Sequence, residues 1–338
     1  MRVTRRLMLA GGTAAIAGCQ TKVPAGSFEA VVEQYTDDLS SVMDTSAPLE
    51  ELSSGYTWSE GPTWDRARDV LYFTDVPGNV AYRWSERDDV DVFLSPSGAA
   101  DVVGFREPGA NGLWYARDGS LIVCNHGRRS VERLDLKSGT RSTLAGEFQG
   151  APFNSPNDVV EARNGALFFT DPPYGLEGLD ESPLKAQAHN GVYRLDPSGE
   201  TTLLVSYMTF PNGVALSPDE TRLYVSQSDP DAPLIRELTL DPSGHIIGDR
   251  VIFDAKPYMD EDAPGLPDGL AICTTGHIFA AGPGGVFILT PDGQVLGRIR
   301  TGAATANCAF GEDGGTLFIT AHDRLLKIGT RMTGVQWM

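Results

Sequence analysis

The chain has 338 residues, with 38 Gly, 22 Pro and a formal net charge of −18. So acidic a surface would repel a polyanion, which argues against nucleic acid or anionic lipid as the partner of the folded part. The Gly and Pro content, with no long apolar stretch of helical period after residue 50, favours short strands joined by turns.

The first 19 residues are predicted to be a targeting segment and not part of the fold. Arg5 and Arg6 precede an apolar stretch, Leu7 to Ala17, that is too short to cross a bilayer as a helix. The arginine pair is typical of twin-arginine export. The segment ends at Cys19 in a context that resembles a lipoprotein processing site. We therefore expect a periplasmic protein anchored to the membrane by lipid on Cys19, with ordinary signal cleavage as the alternative.

Residues 20–48 are predicted to form a polar tether followed by one amphipathic helix. The apolar positions that fall near a helical stripe are Val31, Val32, Tyr35, Leu39, Val42 and Met43. Acidic side chains accompany this stripe, so the helix is expected to pack on the body and not to bind a membrane. The remaining residues, 49–338, are predicted to form the catalytic domain.

Within that domain one unit repeats six times. Each unit has a short apolar strand, preceded ten or eleven residues upstream by one amide or carboxylate side chain. The strands cover 71–75, 121–125, 167–171, 223–227, 278–282 and 317–321. Their starts are 39 to 56 residues apart, near the period of one four-stranded propeller blade. We predict an all-β, six-bladed β-propeller with an N-terminal helical extension, closed by a strand before Glu60 that pairs with the last blade.

The upstream residues suggest a site in the channel. They are Glu60, Asn111, Asn157, Asn212, Asp268 and Asn307. If each one opens the innermost strand of its blade, six oxygen-bearing side chains converge on the central channel. Oxygen donors suit a hard cation such as calcium, whereas zinc sites favour His and Cys. A purely structural role in turns is the competing explanation for Asn and Asp beside Gly or Pro.

The cysteines after Cys19 do not indicate a disulfide framework. Cys124, Cys273 and Cys308 are odd in number and show no CxxC spacing. We expect buried free thiols.

Five motifs in order resemble the SMP-30/gluconolactonase/LRE-like family. They are SEGPTW at 59–64, NSPNDVV at 154–160, FTDPPYG at 169–175, FPNGVALS at 210–217 and LPDGLAI at 266–272. The resemblance runs from about residue 50 to 330. It implies a six-bladed propeller with calcium or another divalent ion, Zn²⁺ or Mg²⁺, in the channel, and hydrolysis of a sugar lactone such as gluconolactone. Carried over by position, the metal ligands are Glu60, Asn157, Asn212 and Asp268.

Two residues are candidates for the general base. Asp268 is one, because some relatives use the metal-bound aspartate. His126, in CNHG at 124–127, is the other, because a histidine in a similar context is a proposed base in related paraoxonase-type propellers. A histidine also has the better unperturbed pKa for base catalysis near neutral pH. Contacts to the substrate or to the metal ligands are predicted for four further residues, Asn111, Asp171, Tyr174 and Asn307.

The leading hypothesis is therefore an exported, calcium-dependent lactonase with a small-molecule lactone as substrate and no nucleic-acid partner. GxSxG, HExxH, GxxxxGK[ST] and GxGxxG motifs are absent, so serine-hydrolase, nucleotide and nicotinamide chemistry have no support. One alternative is a non-catalytic propeller that binds a ligand or protein around a structural calcium. The other is a phosphotriesterase-like hydrolase at the same ion. The sequence leaves the oligomeric state open.

Overall fold

The computed structural model describes residues 27–28 and 32–338. The predicted export signal, Cys19 and most of the tether lie outside these residues. In the described part of the chain, no helix is long and apolar enough to cross a membrane.

Six antiparallel sheets form the blades of a propeller, which confirms the predicted fold. Four of these sheets have four strands, and two have a fifth strand at the outer edge. The innermost strands contact one another around a central channel. They are Ser59–Asp65, Ala110–Tyr115, Val159–Glu161, Pro211–Leu216, Leu270–Ile272 and Thr305–Gly311. The second strands are Val70–Asp75, Leu121–Asn125, Leu167–Asp171, Arg222–Asp229, Ile278–Gly282 and Thr316–Ala321. The third strands are Val80–Ser85, Ser130–Leu134, Gly191–Leu195, Ala232–Leu240, Gly285–Leu289 and Arg324–Gly329. The fourth strands are Asp89–Leu94, Arg141–Ala145, Thr201–Val205, Ile246–Asp254, Val295–Arg300 and Leu49–Ser54.

The turns between inner and second strands depend on residues that tolerate left-handed backbone. Gly119 and Gly165 have φ of 83° and 85° in the hairpins of blades 2 and 3. Such angles cost a residue with a Cβ more than they cost glycine. These turns bring each second strand back beside its inner strand, so the repeated strands 71–75 and 121–125 are the second strands of their blades.

The ring closes as predicted, by a strand that precedes Glu60. Leu49–Ser54 pairs antiparallel with Arg324–Gly329, with Glu50 opposite Lys327. The first and last parts of the propeller therefore share blade 6, which joins the two ends of the domain and covers an edge.

The N-terminal helical extension is much shorter than predicted. Within the described residues of this extension, Leu39–Val42 alone is helical, whereas Val32–Gln34 is a strand on the outer edge of blade 5. Ser27–Phe28 similarly adds a strand to blade 6. Pairing with an open sheet edge satisfies backbone groups that an isolated helical turn would leave to water, and β-branched Val32 suits it. Leu39 and Val42 are fully buried against blades 5 and 6, so the predicted packing on the body holds for them.

The core lies between the blades. In blade 3, Phe169 and Tyr193 stack at 5.2 Å, and Trp64 of blade 1 stacks on Phe318 of blade 6 at 5.5 Å. Cys124, Cys273 and Cys308 are buried free thiols, as predicted. A short hairpin pairs Glu147–Phe148 with Ala151–Pro152. Three single 3₁₀ turns lie at Leu179–Glu181, Lys256–Tyr258 and Val335–Trp337.

Candidate active site in the propeller channel

Bulges in the inner strands direct the predicted ring residues. In blades 1, 2 and 4 the pairing of inner and second strands shifts by one residue directly after Glu60, around Asn111 and around Asn212. A bulge adds one residue to a strand and turns a side chain away from its regular direction. Blade 6 has a similar shift between Thr305 and Asn307.

A hydroxyl on the second strand of one blade holds the ring residue of the next blade. Thr74 Oγ1 donates to the carbonyl of Asn111 at 3.1 Å, and Thr170 Oγ1 to that of Asn212 at 2.6 Å. Ser226 Oγ donates to the carbonyl of Asp268 at 2.6 Å. These buried bonds fix the backbone of the ring residues across blade boundaries. The Thr and Ser recur at the fourth position of their strands, a signal that the sequence analysis missed.

Glycines after the ring residues allow this close approach. A Cβ on Gly61 would lie 2.2 Å from the carbonyl oxygen of Asn111, and one on Gly213 would lie 2.3 Å from that of Asp268. Gly61 also has φ of 50°. A side chain at either position would therefore push neighbouring blades apart at the channel.

Three asparagines form a chain of hydrogen bonds across the channel. Asn111 Nδ2 donates to Asn157 Oδ1 at 2.8 Å, and Asn157 Nδ2 donates to Asn212 Oδ1 at 2.6 Å. Asn212 Nδ2 then donates to Ser228 Oγ at 2.8 Å. Each carboxamide is thereby held in one orientation.

Two carboxyl groups complete this face of the ring. Glu60 is buried, and its Oε2 accepts from the Gly61 amide at 2.9 Å. Burial raises the pKa of Glu60 to about 8. Burial and the nearby Glu60 carboxylate hold the pKa of Asp268 well above its usual range. Asp268 Oδ1 is buried and has no hydrogen-bond partner, although the residue as a whole is partly exposed.

These groups lie at a cavity of about 710 Å³. Its lining includes Glu60, Asn111, Asn157, Asn212 and Asp268, so five of the six predicted ring residues meet there. The volume falls in the range that small-molecule sites occupy, ~300–1,000 Å³.

The cavity wall contains two residues of the predicted substrate set, Asn111 and Tyr174, and several that the sequence analysis missed. Tyr174 lines it and stacks on Phe210 at 5.9 Å. Of the described residues lining this cavity, Arg106 alone is basic, and it pairs with Glu107 at 2.6 Å. Arg106, Glu107 and Ser228 belong to no repeated pattern, so only the fold brings them here.

Asn307 lies on the other side of the ring. It lines a separate cavity of about 90 Å³ together with Asp158, and not the large one. Its Nδ2 lies 3.4 Å from Glu60 Oε2, within hydrogen-bond distance. Both oxygens of Asp158 accept backbone amides, from Val159 at 2.9 Å and Val214 at 3.3 Å. Asn307 therefore contacts a carboxylate of the site from behind.

His126 and Asp171 lie outside the lining of the large cavity. His126 is fully buried, and its Nε2 lies 3.4 Å from Asn111 Nδ2. Burial lowers the pKa of His126 to about 4, so the imidazole is neutral near pH 7 and accepts at Nε2. Asp171 is also fully buried and accepts the backbone amide of Asn154 at 2.8 Å.

The donor set fits a hard divalent cation. Among the described residues, neither buried carboxyl group has a basic partner, and one of their oxygens has no hydrogen bond. Three asparagine side chains line the same cavity. Removing carboxylates from water costs several kcal/mol per group unless a cation compensates. Across residues 27–28 and 32–338, no cluster of three or more His, Cys, Asp or Glu side chains is arranged to hold a metal. A cation bound here would therefore need amide oxygens as ligands as well, and calcium accepts them.

The fold and the site define a six-bladed propeller with an oxygen-rich pocket in its channel. Residues 58–323 match the family described as SMP-30/Gluconolactonase/LRE-like region. The chain belongs to this family, as its motifs predicted.

The relatives in this family include lactonases. The chain is 41% identical over 315 residues to a gluconolactonase of Zymomonas mobilis. The aligned region covers 91% of this chain and 88% of that protein. The chain is 26% identical over 283 residues to a pentonolactonase of Haloferax volcanii, covering 82% and 83%. The solved structure of a gluconolactonase from Xanthomonas campestris has a TM-score of 0.78 at 32% identity and covers 92% of this chain and 99% of that one.

Proposed function

We propose that this protein is a calcium-dependent lactonase that opens a sugar lactone, such as gluconolactone, to its acid. The lactonase class has the support of the family match and of the Zymomonas relative. The ion and the sugar lactone are our proposal. The observation that carries it is the convergence of Glu60, Asn157, Asn212 and Asp268 on one cavity.

In this proposal those four residues hold the ion through side-chain oxygens. When bound, the ion would act as a Lewis acid toward the lactone carbonyl. The hydrogen bonds from Asn111 to Asn157 and from Asn157 to Asn212 preorganise two of the donors. Preorganised dipoles need little rearrangement during the reaction, which is how such sites lower a barrier.

Asp268 is our choice for the general base. Its Oδ1 is without a hydrogen bond and belongs to a residue of the cavity wall. It can accept a proton from a water molecule as the water oxygen bonds to the lactone carbonyl carbon. The ring carbon–oxygen bond then breaks, and the same proton passes from Asp268 to the departing alkoxide, so protons balance.

His126 is better suited to orient Asn111 than to act as the base. Its ring lies behind the cavity, and its lowered pKa makes it a weak proton acceptor. A neutral Nε2 facing Asn111 Nδ2 keeps that carboxamide turned with its oxygen away from the imidazole.

The wall of the cavity supplies groups for a polyhydroxylated substrate. Arg106, Glu107, Thr57 and Ser228 offer donors and acceptors for hydroxyls, and Trp58 offers an apolar face. A mixed lining of this kind binds a small polar ring by a few hydrogen bonds and excludes water around it.

A panel of substrates tests the proposal. The full-length protein is assayed on gluconolactone, other sugar lactones and a phosphotriester with a pH indicator, in EDTA and with Ca²⁺, Mg²⁺ or Zn²⁺ added. We expect calcium-stimulated hydrolysis of lactones. Hydrolysis that resists EDTA would contradict the metal requirement. Activity on the phosphotriester alone, or binding without turnover, would favour the two alternatives.

We also propose that the propeller is exported and held at the membrane by lipid on Cys19. The twin arginine and the context of Cys19 support this location. Expression of the full chain with Cys19→Ser tests it. We expect the variant to move from the membrane fraction to the soluble periplasmic fraction, and an unchanged distribution would contradict the anchor.

A further inference from the structure

The N-terminal strap, residues 32–35, lies before residue 58, where the family match begins. It pairs with the outer strand of blade 5, with Val32 opposite Ile299 and Gln34 opposite Gly297. The wall loop, residues 256–265, connects the outer strand of blade 4 to the inner strand of blade 5. It contributes five residues to the large cavity, which are Met259, Asp260, Ala263, Pro264 and Gly265.

Glu33 of the strap holds two arginines of the outer strand. Its Oε2 lies 2.7 Å from Arg298 Nη2, and its Oε1 lies 3.1 Å from Arg300 Nη1. The Arg298 side chain is 8% exposed and that of Glu33 is 24% exposed. Water therefore screens the pair with Arg298 only in part, and loss of Glu33 would leave a nearly buried guanidinium without this carboxylate.

Both arginines continue toward the wall loop. Arg300 Nη2 donates to the carbonyl of Asp262 at 3.0 Å. Arg298 Nη1 donates to the carbonyl of Pro283 at 2.9 Å, and the adjoining Gly284 amide donates to the carbonyl of Pro264 at 2.8 Å. Arg300 thus bonds the loop directly at Asp262, whereas Arg298 reaches it indirectly, through the Pro283–Gly284 segment that bonds Pro264.

An aromatic contact forms a second connection. Tyr35 of the strap stacks on Tyr258 of the wall loop at 6.2 Å, with the rings 17° apart. Tyr258 packs in turn on Phe287 at 5.0 Å. Met259, the next residue after Tyr258, lines the cavity.

We propose that the N-terminal strap braces the wall loop and so sets the shape of the substrate cavity, with Glu33 as a positioning residue. The loop contains little regular secondary structure of its own, namely a 3₁₀ turn at Lys256–Tyr258 and an isolated β-bridge between Asp260 and Ala263. Lys256 Nζ donates to the carbonyl of Pro230 at 2.7 Å and Tyr258 packs on Phe253, so blade 4 holds the start of the loop. On the side of blade 5, the loop is held by groups that Glu33 and Tyr35 contact. The consequence for substrate binding rests on the proposed lactonase function.

Hydrogen exchange read by mass spectrometry tests the brace without reference to activity. Glu33→Gln keeps the size of the side chain and removes its charge. Tyr35→Ala removes the stacking and also the hydroxyl that donates to Glu33 Oε2 at 2.7 Å. The matched control is Glu237→Gln in blade 4, where a carboxylate pairs with Arg250 at 2.8 Å and with Arg222 at 3.7 Å, away from the cavity. We expect both strap variants, and not the control, to speed exchange in peptides covering 256–265 by about 5-fold or more.

Two results would overturn the brace. One is unchanged exchange in the wall loop of both variants. The other is an equal increase in every blade, since that reports lower global stability and no local contact.

Kinetics on a lactone then tests the effect on the substrate. For Glu33→Gln we expect KM to rise by about 5- to 10-fold while kcat and the Ca²⁺-induced shift in Tm stay within twofold of wild type. An unchanged KM contradicts a role in shaping the site. Should the wild-type protein hydrolyse no lactone, the proposed function fails, and the exchange experiment still decides whether the brace exists.

Discussion

Asp268 and Glu60 bring carboxyl groups from blades 5 and 1 to one cavity, and Glu60 raises the pKa of Asp268 in addition to the effect of burial. Like charges in a buried site favour keeping one of the groups protonated. A divalent cation would relieve this repulsion and let both groups ionise.

The first prediction concerns stability without an ion. Burial raises the pKa of Glu60 from 4.5 to about 8, so the folded protein keeps a proton that the unfolded chain releases. Protonated Glu60 therefore contributes fully to the free energy of unfolding at low pH, and this contribution is lost as the pH rises from about 4.5 through about 8. We expect the Tm of EDTA-treated protein to fall across that window and added Ca²⁺ to reverse much of the fall, as measured by calorimetry.

Glu60→Gln is the control for this effect. A neutral amide cannot titrate, so the variant should lose much of the pH dependence in EDTA and respond less to Ca²⁺. Equal slopes for the variant and the wild type would show that other groups control the transition.

The second prediction concerns the proposed base. Asp268→Asn keeps the shape of the side chain and removes the proton acceptor, so we expect kcat to fall by about 10²- to 10⁴-fold. In EDTA, the Tm of Asp268→Asn should equal or exceed that of the wild type in EDTA, because the variant lacks one of the two carboxyl groups that repel each other. The exposed turn residue Asp313→Asn is a control expected to leave turnover unchanged. Near-normal turnover in Asp268→Asn would remove it from the mechanism.

The third prediction separates the two roles considered for His126. If it orients Asn111, His126→Gln should lower kcat by about 10-fold and leave the shape of the pH profile unchanged, because an amide can still contact Asn111. Loss of more than about 10³-fold, together with loss of the acidic limb of the profile, would identify His126 as the base instead.

The fourth prediction concerns the centre of the asparagine chain. Asn157→Ala removes the Asn157 acceptor from Asn111 Nδ2, which still faces His126 Nε2, and it leaves Asn212 Oδ1 without its Asn157 donor. Each unpaired buried group costs about 1–3 kcal/mol, so we expect a clear drop in Tm together with loss of activity and of the Ca²⁺ response. Asn164→Ala, in a turn away from the channel, is the control. A Ca²⁺ response of normal size in Asn157→Ala would contradict its place among the ligands.

The fold was predictable because the spacing of the repeated strands can be read directly from the sequence. The spacing of strands such as 71–75 and 167–171 indicated six blades, and the strand 49–54 closes the ring as expected. Val32 was assigned to a helix because its neighbours Tyr35 and Leu39 also fit a helical spacing. That assignment was wrong, since the open edge of blade 5 offered Val32–Gln34 backbone partners that local sequence does not reveal.

The sequence by itself determined the six-bladed architecture, the family and the identity of the polar residues near the axis, because these follow from a period and from motifs that are local in the chain. Only the tertiary structure decided which side of the ring each residue faces. Successive residues of a strand point to opposite faces, and a bulge of one residue reverses that order. Hence Asn157 lines the large cavity whereas Asp158 and Asn307 line the small one, and His126 lies buried behind Asn111.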